Sequence, residues 1–210
     1  MPGLPGIKLE PNCLERELTM ASISGTRTEK NLMAAFAGEC QAAARYSYFA
    51  KKARKEGFEK IAAVFERTAE EEQAHASVYY KFLPGPDCQV EAVYGVPGNR
   101  STAENLLAAG VGEHEEWAVL YPQYAVVARE EGFKNVAKSF DAIAMIEKHH
   151  ESRYSKLAGH LADGTMFKRD KPVVWRCLKC GYLHEGPEAP SVCPACAHVQ
   201  GYFEVFAEAV

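Results

Sequence analysis

The sequence has no long apolar run. No uninterrupted stretch approaches the roughly 18–20 residues a helix needs to cross a bilayer. Its first residues hold no basic segment followed by an apolar core, so neither a membrane span nor a secretory signal is expected. An excess of charge of one sign is also missing: 24 Lys+Arg stand against 28 Asp+Glu, a formal charge of -4. That balance gives no reason to expect nucleic acid or an anionic membrane as partner. Nor is the cysteine count even. Of seven cysteines, Cys177, Cys180, Cys193 and Cys196 form two Cys-x-x-Cys pairs, and Cys13, Cys40 and Cys88 are left over. Paired knuckles beside unpaired thiols point to metal binding in a reducing cytoplasm rather than to a disulfide framework.

Helix breakers are scarce between Thr28 and Ala162. They fall at Glu56-Gly57-Phe58, in the Pro/Gly-rich stretch from Pro84 to Gly98, and at Glu131-Gly132-Phe133. This punctuation predicts four helices, roughly 28–56, 58–83, 102–131 and 133–162, with Thr102, Glu104 and Asn105 marking the start of the third. An internal repeat links them: EGFEKIAAVFERTAEEEQAH (56–75) and EGFKNVAKSFDAIAMIEKHH (131–150) open on the same tripeptide and end on a histidine 19 residues after the first Glu. Two helical hairpins joined by so long a connection predict a four-helix bundle with one crossover. Residues 1–26 read as a loosely structured arm and 27–165 as the bundle. Residues 166–210 are turn-rich and aromatic, a second small domain with too little core to stand without a metal.

The fourth helix has an inward seam of Val136, Phe140, Ile143, Glu147, His150, Tyr154, Leu157 and Leu161, spaced alternately by four and three residues. Glu147 and His150 fall on that seam; His149 and Glu151 do not. The second helix repeats the pattern with Glu72 and His75, leaving Glu70 and Glu71 outside. Glu39 lies on the seam of the first helix, and Glu113 and Glu116 on that of the third. Burying one isolated carboxylate costs several kcal/mol, and a domain has only about 5–15 kcal/mol of net stability. Five converging glutamates therefore need protons or cations. One Glu from each of two helices plus Glu-x-x-His from the other two is the donor set of a carboxylate-bridged dinuclear site. His114, His149 and His160 read as surface histidines, and Tyr46 and Tyr121 as core tyrosines or polar groups near the metals. The third helix is one residue out of step: 34 positions separate Glu113 from Glu147, against 33 between Glu39 and Glu72, and Pro122 lies nearby. A π-type bulge would absorb the extra residue. The two cysteine knuckles, 12 residues apart, suit tetrahedral zinc or a single iron. Beside a dinuclear oxygen-ligand site, a redox-active iron makes the better sense.

These motifs carry a resemblance. Over residues 28–210 the chain resembles the rubrerythrin family, on the segments AFAGECQAAARYSYFAKKARKEGF, EEEQAH, GEHEEWAVLYPQY, IEKHHESRY, FKRDKPVVWRCLKCGYLHEG and CPACAH. The resemblance implies a mainly α fold: a ferritin-like di-iron bundle and a C-terminal rubredoxin-like domain that together reduce hydrogen peroxide to water. It implies Glu39, Glu72 and Glu116 as ligands of one iron, with His75 as the alternative partner when the redox state changes. Glu113, Glu147 and His150 would hold the other iron, Glu72 and Glu147 would bridge, and Cys177, Cys180, Cys193 and Cys196 would hold the third, where zinc can stand in recombinant material. Glu116, His75, Tyr46 and Tyr121 would serve the reaction. Further expectations are a cytoplasmic location, a head-to-tail homodimer with or without exchanged helices, and an electron donor such as a rubredoxin or an NAD(P)H-dependent reductase. Three departures accompany it: a long N-terminal arm, a long 84–101 connection, and Ala197 where many rubredoxin knuckles have Gly. The rival readings are an iron-handling ferroxidase, against which Glu116 and the four-cysteine domain argue, and a structural zinc protein.

Overall fold

The computed structural model describes residues 22–85, 87–98 and 100–207. Most of the arm expected over residues 1–26, Cys13 included, lies outside them. The helices are α1 (Arg27–Lys55), α2 (Glu59–Tyr80), α3 (Thr102–Glu115), a π-helical turn (Glu116–Leu120), α4 (Tyr121–Glu130) and α5 (Lys134–Ala162). The third helix foreseen as one piece is thus α3, the π turn and α4 end to end, and the second stops at Tyr80 rather than at 83.

Local chemistry sets these boundaries. The Thr26 hydroxyl accepts from the Glu29 amide at the start of α1. Ser101 and Glu104 form a reciprocal capping box on α3, one residue before the expected start. Both EGF turns end their helices alike. Gly57 and Gly132 adopt left-handed φ of 84° and 87°, and the Phe58 and Phe133 amides reach back to the Ala53 and Ala128 carbonyls at 2.9 and 2.7 Å. This is the Schellman geometry that glycine makes cheap. The internal repeat is therefore a repeat of helix stops as well as of seams.

Helix α1 packs on α2, and α3 with α4 on α5; α1 also meets α3 and α4, and α2 meets α5. The 81–101 connection runs along α1, where the Tyr94 hydroxyl donates to the Ala34 carbonyl at 2.9 Å and Arg45 Nη1 to the Gly95 carbonyl at 2.9 Å. The bundle interior is two apolar clusters. One gathers Tyr46, Phe49, Ile61, Phe65, Leu106 and Tyr154; the other gathers Leu32, Tyr79, Tyr121, Val136, Phe140 and Ile143. Along the seams, the buried glutamates and histidines fall between them.

The C-terminal domain is a three-stranded antiparallel sheet in the order β2 (Leu183–Glu188), β1 (Lys168–Cys177), β3 (Phe203–Val205). Trp175 is fully buried, and its indole N–H donates to the Gly186 carbonyl at 3.0 Å. The domain rests on the α1–α2 turn. A Cβ on Gly201 would lie 1.9 Å from the Gly57 carbonyl oxygen, so only glycine permits this approach. Glu204 joins the two parts, pairing with Lys60 of α2 at 2.5 Å and with Arg176 of β1 at 2.5 Å.

Candidate metal centres

The helices bring Glu39 of α1, Glu72 and His75 of α2, Glu113 of α3, and Glu147 and His150 of α5 into one buried layer. Two donor groups result. Glu39, Glu72, His75 and Glu147 form one, and Glu72, Glu113, Glu147 and His150 the other, with the donor atoms of each within 4.8 Å of one another. Glu72 and Glu147 belong to both, as bridging positions would. His75 Nδ1 lies 2.9 Å from Glu147 and 3.0 Å from Glu72. His150 Nδ1 lies 2.8 Å from Glu147, 3.2 Å from Glu72 and 3.4 Å from Glu113. Glu116 stands apart: half-buried on the π turn, it joins neither group. Of the two alternatives that the resemblance implies beside Glu39 and Glu72, His75 stands in the donor group and Glu116 outside it.

One of these contacts, His75 Nδ1 to Glu72 Oε2, is a hydrogen bond; most of the others are not. Glu39 Oε2, Glu72 Oε1, Glu113 Oε2, both Glu147 oxygens and His150 Nδ1 are buried without a hydrogen-bond partner, although several sit within 3.4 Å of one another. Donor atoms from four helices are crowded together without enough protons on hand to pair them all. Such orphaned donors would be costly in a core that water does not reach, and they fit two cations bridged by carboxylates.

Without cations, protons carry the balance. Burial first, then repulsion from Glu72, Glu116 and Glu147, lifts the Glu39 carboxyl well above the usual carboxylate range. Burial and the Glu72 charge raise Glu113 to about 8, and burial with Glu113 and Glu147 raises Glu116 strongly. Glu72 goes the other way. Burial opposes ionisation, but the imidazoles of His150 and His75 beside it hold it at about 2. Burial would lower both histidines, yet the carboxylates around them raise His75 to about 9 and His150 to about 12. These are the protons that bound cations would displace.

Two tyrosines close the layer. Tyr46 of α1 donates to Glu113 Oε1 at 2.5 Å, and Tyr121 of α4 to Glu39 Oε1 at 2.5 Å. Tyr46 follows Glu39 by seven residues and Tyr121 follows Glu113 by eight, so each tyrosine serves the other's glutamate. Eight residues of ideal α-helix would turn Tyr121 about 80° off the Glu113 line. The π turn, whose Tyr121 amide bonds back to the Glu116 carbonyl, absorbs the extra residue and restores the match.

A cavity of about 1310 Å³ between α1, α3 and the connection reaches Glu116 and Tyr121 from outside; Arg45, Tyr94 and Val111 are among its walls. Of the histidines read as surface groups, His149 and His114 are exposed. His160 is half-buried, with its Nδ1 2.8 Å from the Thr165 hydroxyl. Glu151, off the seam, is half-buried and accepts from Trp117 Nε1 at 2.5 Å. Seam reasoning also left out Glu71 and Arg153, which meet beside His150. The signal was their spacing: Glu71 immediately precedes the seam Glu72, and Arg153 follows His150 by three.

In the C-terminal domain the four cysteine sulfurs form a third group within 4.8 Å. Cys177 Sγ lies 3.8 Å from Cys196 Sγ, and Cys180 Sγ 3.7 Å from Cys193 Sγ. Two matching turns hold them: the Gly181 amide bonds to the Cys177 carbonyl and the Ala197 amide to the Cys193 carbonyl, both at 2.8 Å. Burial resists ionisation of Cys193, but the amides of Ala195 and Cys196 draw its thiol down to about 7. Four such sulfurs suit one tetrahedral metal ion. Cys40 and Cys88 are free thiols away from this cluster.

Comparison with known proteins agrees with both centres. Residues 30–158 match the sequence model of the family described as Rubrerythrin, and residues 175–204 that of the rubrerythrin rubredoxin-like domain. The chain is 50% identical to a rubrerythrin of Porphyromonas gingivalis over 183 residues, 87% of this chain and 92% of that protein. It is 45% identical to a rubrerythrin of Nitratidesulfovibrio vulgaris, over 89% of this chain and 97% of that one. Among solved structures, mixed-valence nigerythrin superposes with a TM-score of 0.59 at 28% identity, covering 96% of this chain and 100% of that one. Helix order, paired donor groups and cysteine knuckles thus belong to one pattern that runs through nearly the whole chain: it is a member of the rubrerythrin family, with a di-iron site in its bundle and a four-cysteine rubredoxin-like site at its C-terminal end.

Proposed function

We propose that the chain is a non-haem di-iron peroxidase that reduces hydrogen peroxide to water with electrons passed through the four-cysteine iron. The reading rests above all on one observation: a buried, carboxylate-rich dinuclear donor set and a separate four-thiolate set occur in the same chain. The balance is one peroxide, two electrons and two protons giving two waters. When bound, the iron pair supplies the two electrons that break the O–O bond, and the rubredoxin-like iron restores them.

The protein's own groups do the rest. Glu39 and Glu72, with His75 or Glu116, would hold one iron and Glu113, Glu147 and His150 the other, Glu72 and Glu147 being shared by both donor groups. Glu116 lies at the inner end of the open cavity, on the path that a small polar oxidant would take. Its raised proton affinity lets it carry a proton to that point. Tyr46 and Tyr121 hold Glu113 and Glu39 in place through their hydroxyls, and burial keeps both phenols protonated, well above their ordinary range. Electrons come from a rubredoxin or an NAD(P)H-dependent reductase, and a head-to-tail homodimer sets one chain's four-cysteine iron near its partner's bundle. Among the described residues no helix is long and apolar enough to cross a membrane.

Anaerobic stopped-flow mixing of the fully reduced protein with peroxide tests this. Both iron chromophores should reoxidise rapidly and with the stoichiometry of two electrons per peroxide. Slow reoxidation by peroxide, combined with rapid uptake and oxidation of added Fe(II) under O₂, would instead establish the iron-handling reading. Metal analysis that finds zinc in the knuckles of the native protein would break the electron path.

A further inference from the structure

The two histidines of the bundle site are equivalent in sequence position but not in what holds them. Each turns Nδ1 toward the shared carboxylates. The outer nitrogens differ. His150 Nε2 lies 3.1 Å from Glu71 Oε2, whereas among the described residues His75 Nε2 meets no hydrogen-bond partner. Glu71 is itself clamped: Arg153 Nη2 donates to its Oε2 at 3.0 Å and Arg67 Nε to its Oε1 at 2.8 Å. The same Arg153 nitrogen donates to the Thr68 hydroxyl at 2.9 Å, which ties α5 to α2 across the site. Burial opposes ionisation of Glu71, but the two arginines prevail and keep its carboxyl below the usual range.

We propose that Glu71, held by Arg153 and Arg67, is a positioning residue that orients His150 through its outer nitrogen and makes that half of the centre the tighter metal site. The physics is direct. A metal on Nδ1 leaves the ring proton on Nε2, and a fixed carboxylate there locks the ring's tautomer and rotation and raises its basicity toward the metal. His75 has no such anchor, so its ring is held by the metal side alone. The inference rests on the ligand assignment proposed above, and it concerns a residue that assignment does not use.

The test is metal binding by the full-length chain with zinc in its four-cysteine site and its bundle stripped, titrated anaerobically with Co(II). The wild type should bind two ions with unequal affinity. In Glu71→Ala the tighter site should weaken about 10- to 100-fold while the other stays where it was. Glu71→Gln, which keeps an acceptor at the same reach, should recover most of the loss. The side chains of Glu71 and Arg153 are 25% and 34% exposed, so the variants should keep wild-type helicity by circular dichroism. In zinc-loaded, ¹⁵N-histidine-labelled protein, one ring N–H should be protected from exchange in the wild type and in Glu71→Gln, and lost in Glu71→Ala. Two ions bound as in the wild type, or weakened equally, would overturn the proposal while leaving the ligand assignment intact. A wild-type chain that binds no pair of ions would overturn both.

Discussion

The bundle and the C-terminal domain gather metal donors by different means. The bundle takes one or two side chains from each of four helices and sets them between two apolar clusters that pack through rings such as Tyr79 and Phe140, 4.9 Å apart, and Phe65 and Tyr154, 5.1 Å apart. The C-terminal domain takes all four donors from two short turns, and its core has five buried members, of which Cys177 and Cys193 are themselves donors. One region has a fold that holds its donors in place before any ion arrives. The other needs the ion to have a core. Metal should therefore matter to the two regions in different ways: as charge balance in the bundle, and as a structural staple in the small domain.

The largest expected effect separates them outright. Cys193→Ser, or exhaustive chelation, should unfold the small domain, because metal–thiolate binding in such folds contributes on the order of 10 kcal/mol. The bundle should keep its helices. Limited proteolysis would then cut beyond about residue 165 while the helical core persists; loss of both parts together would mean that the two regions depend on metal alike. Within the bundle, His150→Ala should cost one bound iron by metal analysis. His149→Ala, next to it but exposed, should change neither metal content nor stability by more than about 0.5 kcal/mol.

The bundle's charge balance should also show in pH. In the metal-free fold Glu113 is raised to about 8, His75 to about 9 and His150 to about 12, so each binds its proton more tightly folded than unfolded. The stability they contribute is complete below their unfolded values, 4.5 for Glu and 6.5 for His, and is lost as pH rises through the folded ones. Glu72, held at about 2, contributes above its ordinary value and loses that only in strong acid. The stripped bundle should therefore weaken from about pH 5 to pH 9. Ions that replace those protons bind better over the same range. The melting temperatures of loaded and stripped protein should move apart as pH rises; a gap that stays flat or narrows would mean that the carboxylates are not neutralised in this way.

The same contrast governs how much the sequence discloses. Four seams with steps of three and four residues place Glu39, Glu72, His75, Glu113, Glu147 and His150 in the core because helical phase is a local property. The extra residue before Glu147 likewise announces the π turn. Glu116 shows the limit. Phase brings it to the inner side, but which of Glu116 and His75 joins the donor group depends on how the π turn sits against α2, a tertiary matter. Glu71 is the converse, a residue off the seam that becomes important because Arg153 of another helix reaches it. The knuckles were legible as a metal site from spacing alone, whereas the seating of Gly201 on the Gly57 carbonyl was not, since nothing local marks a contact between distant turns.

The smallest effect compares the two knuckles with each other. Gly181 and Ala197 occupy matching positions, each donating its amide to the carbonyl four residues back, and both are left-handed, with φ of 79° and 58°. Ala197 is the one described non-glycine residue with positive φ. That conformation costs an L residue about 1–2 kcal/mol, and the exposed Ala197 methyl gains no buried contact in return. Ala197→Gly should relieve the strain, less the roughly 0.4–1 kcal/mol that glycine adds to the unfolded chain's entropy. The net is a stabilisation of up to about 1.6 kcal/mol in the metal-loaded domain. Gly181→Ala should do the reverse, and for backbone reasons alone, since a Cβ there would meet nothing within 4 Å. Chemical denaturation followed through the fluorescence of buried Trp175 measures both. Equal stabilities for the two variants would show that the knuckles do not share the backbone constraint their hydrogen bonds imply.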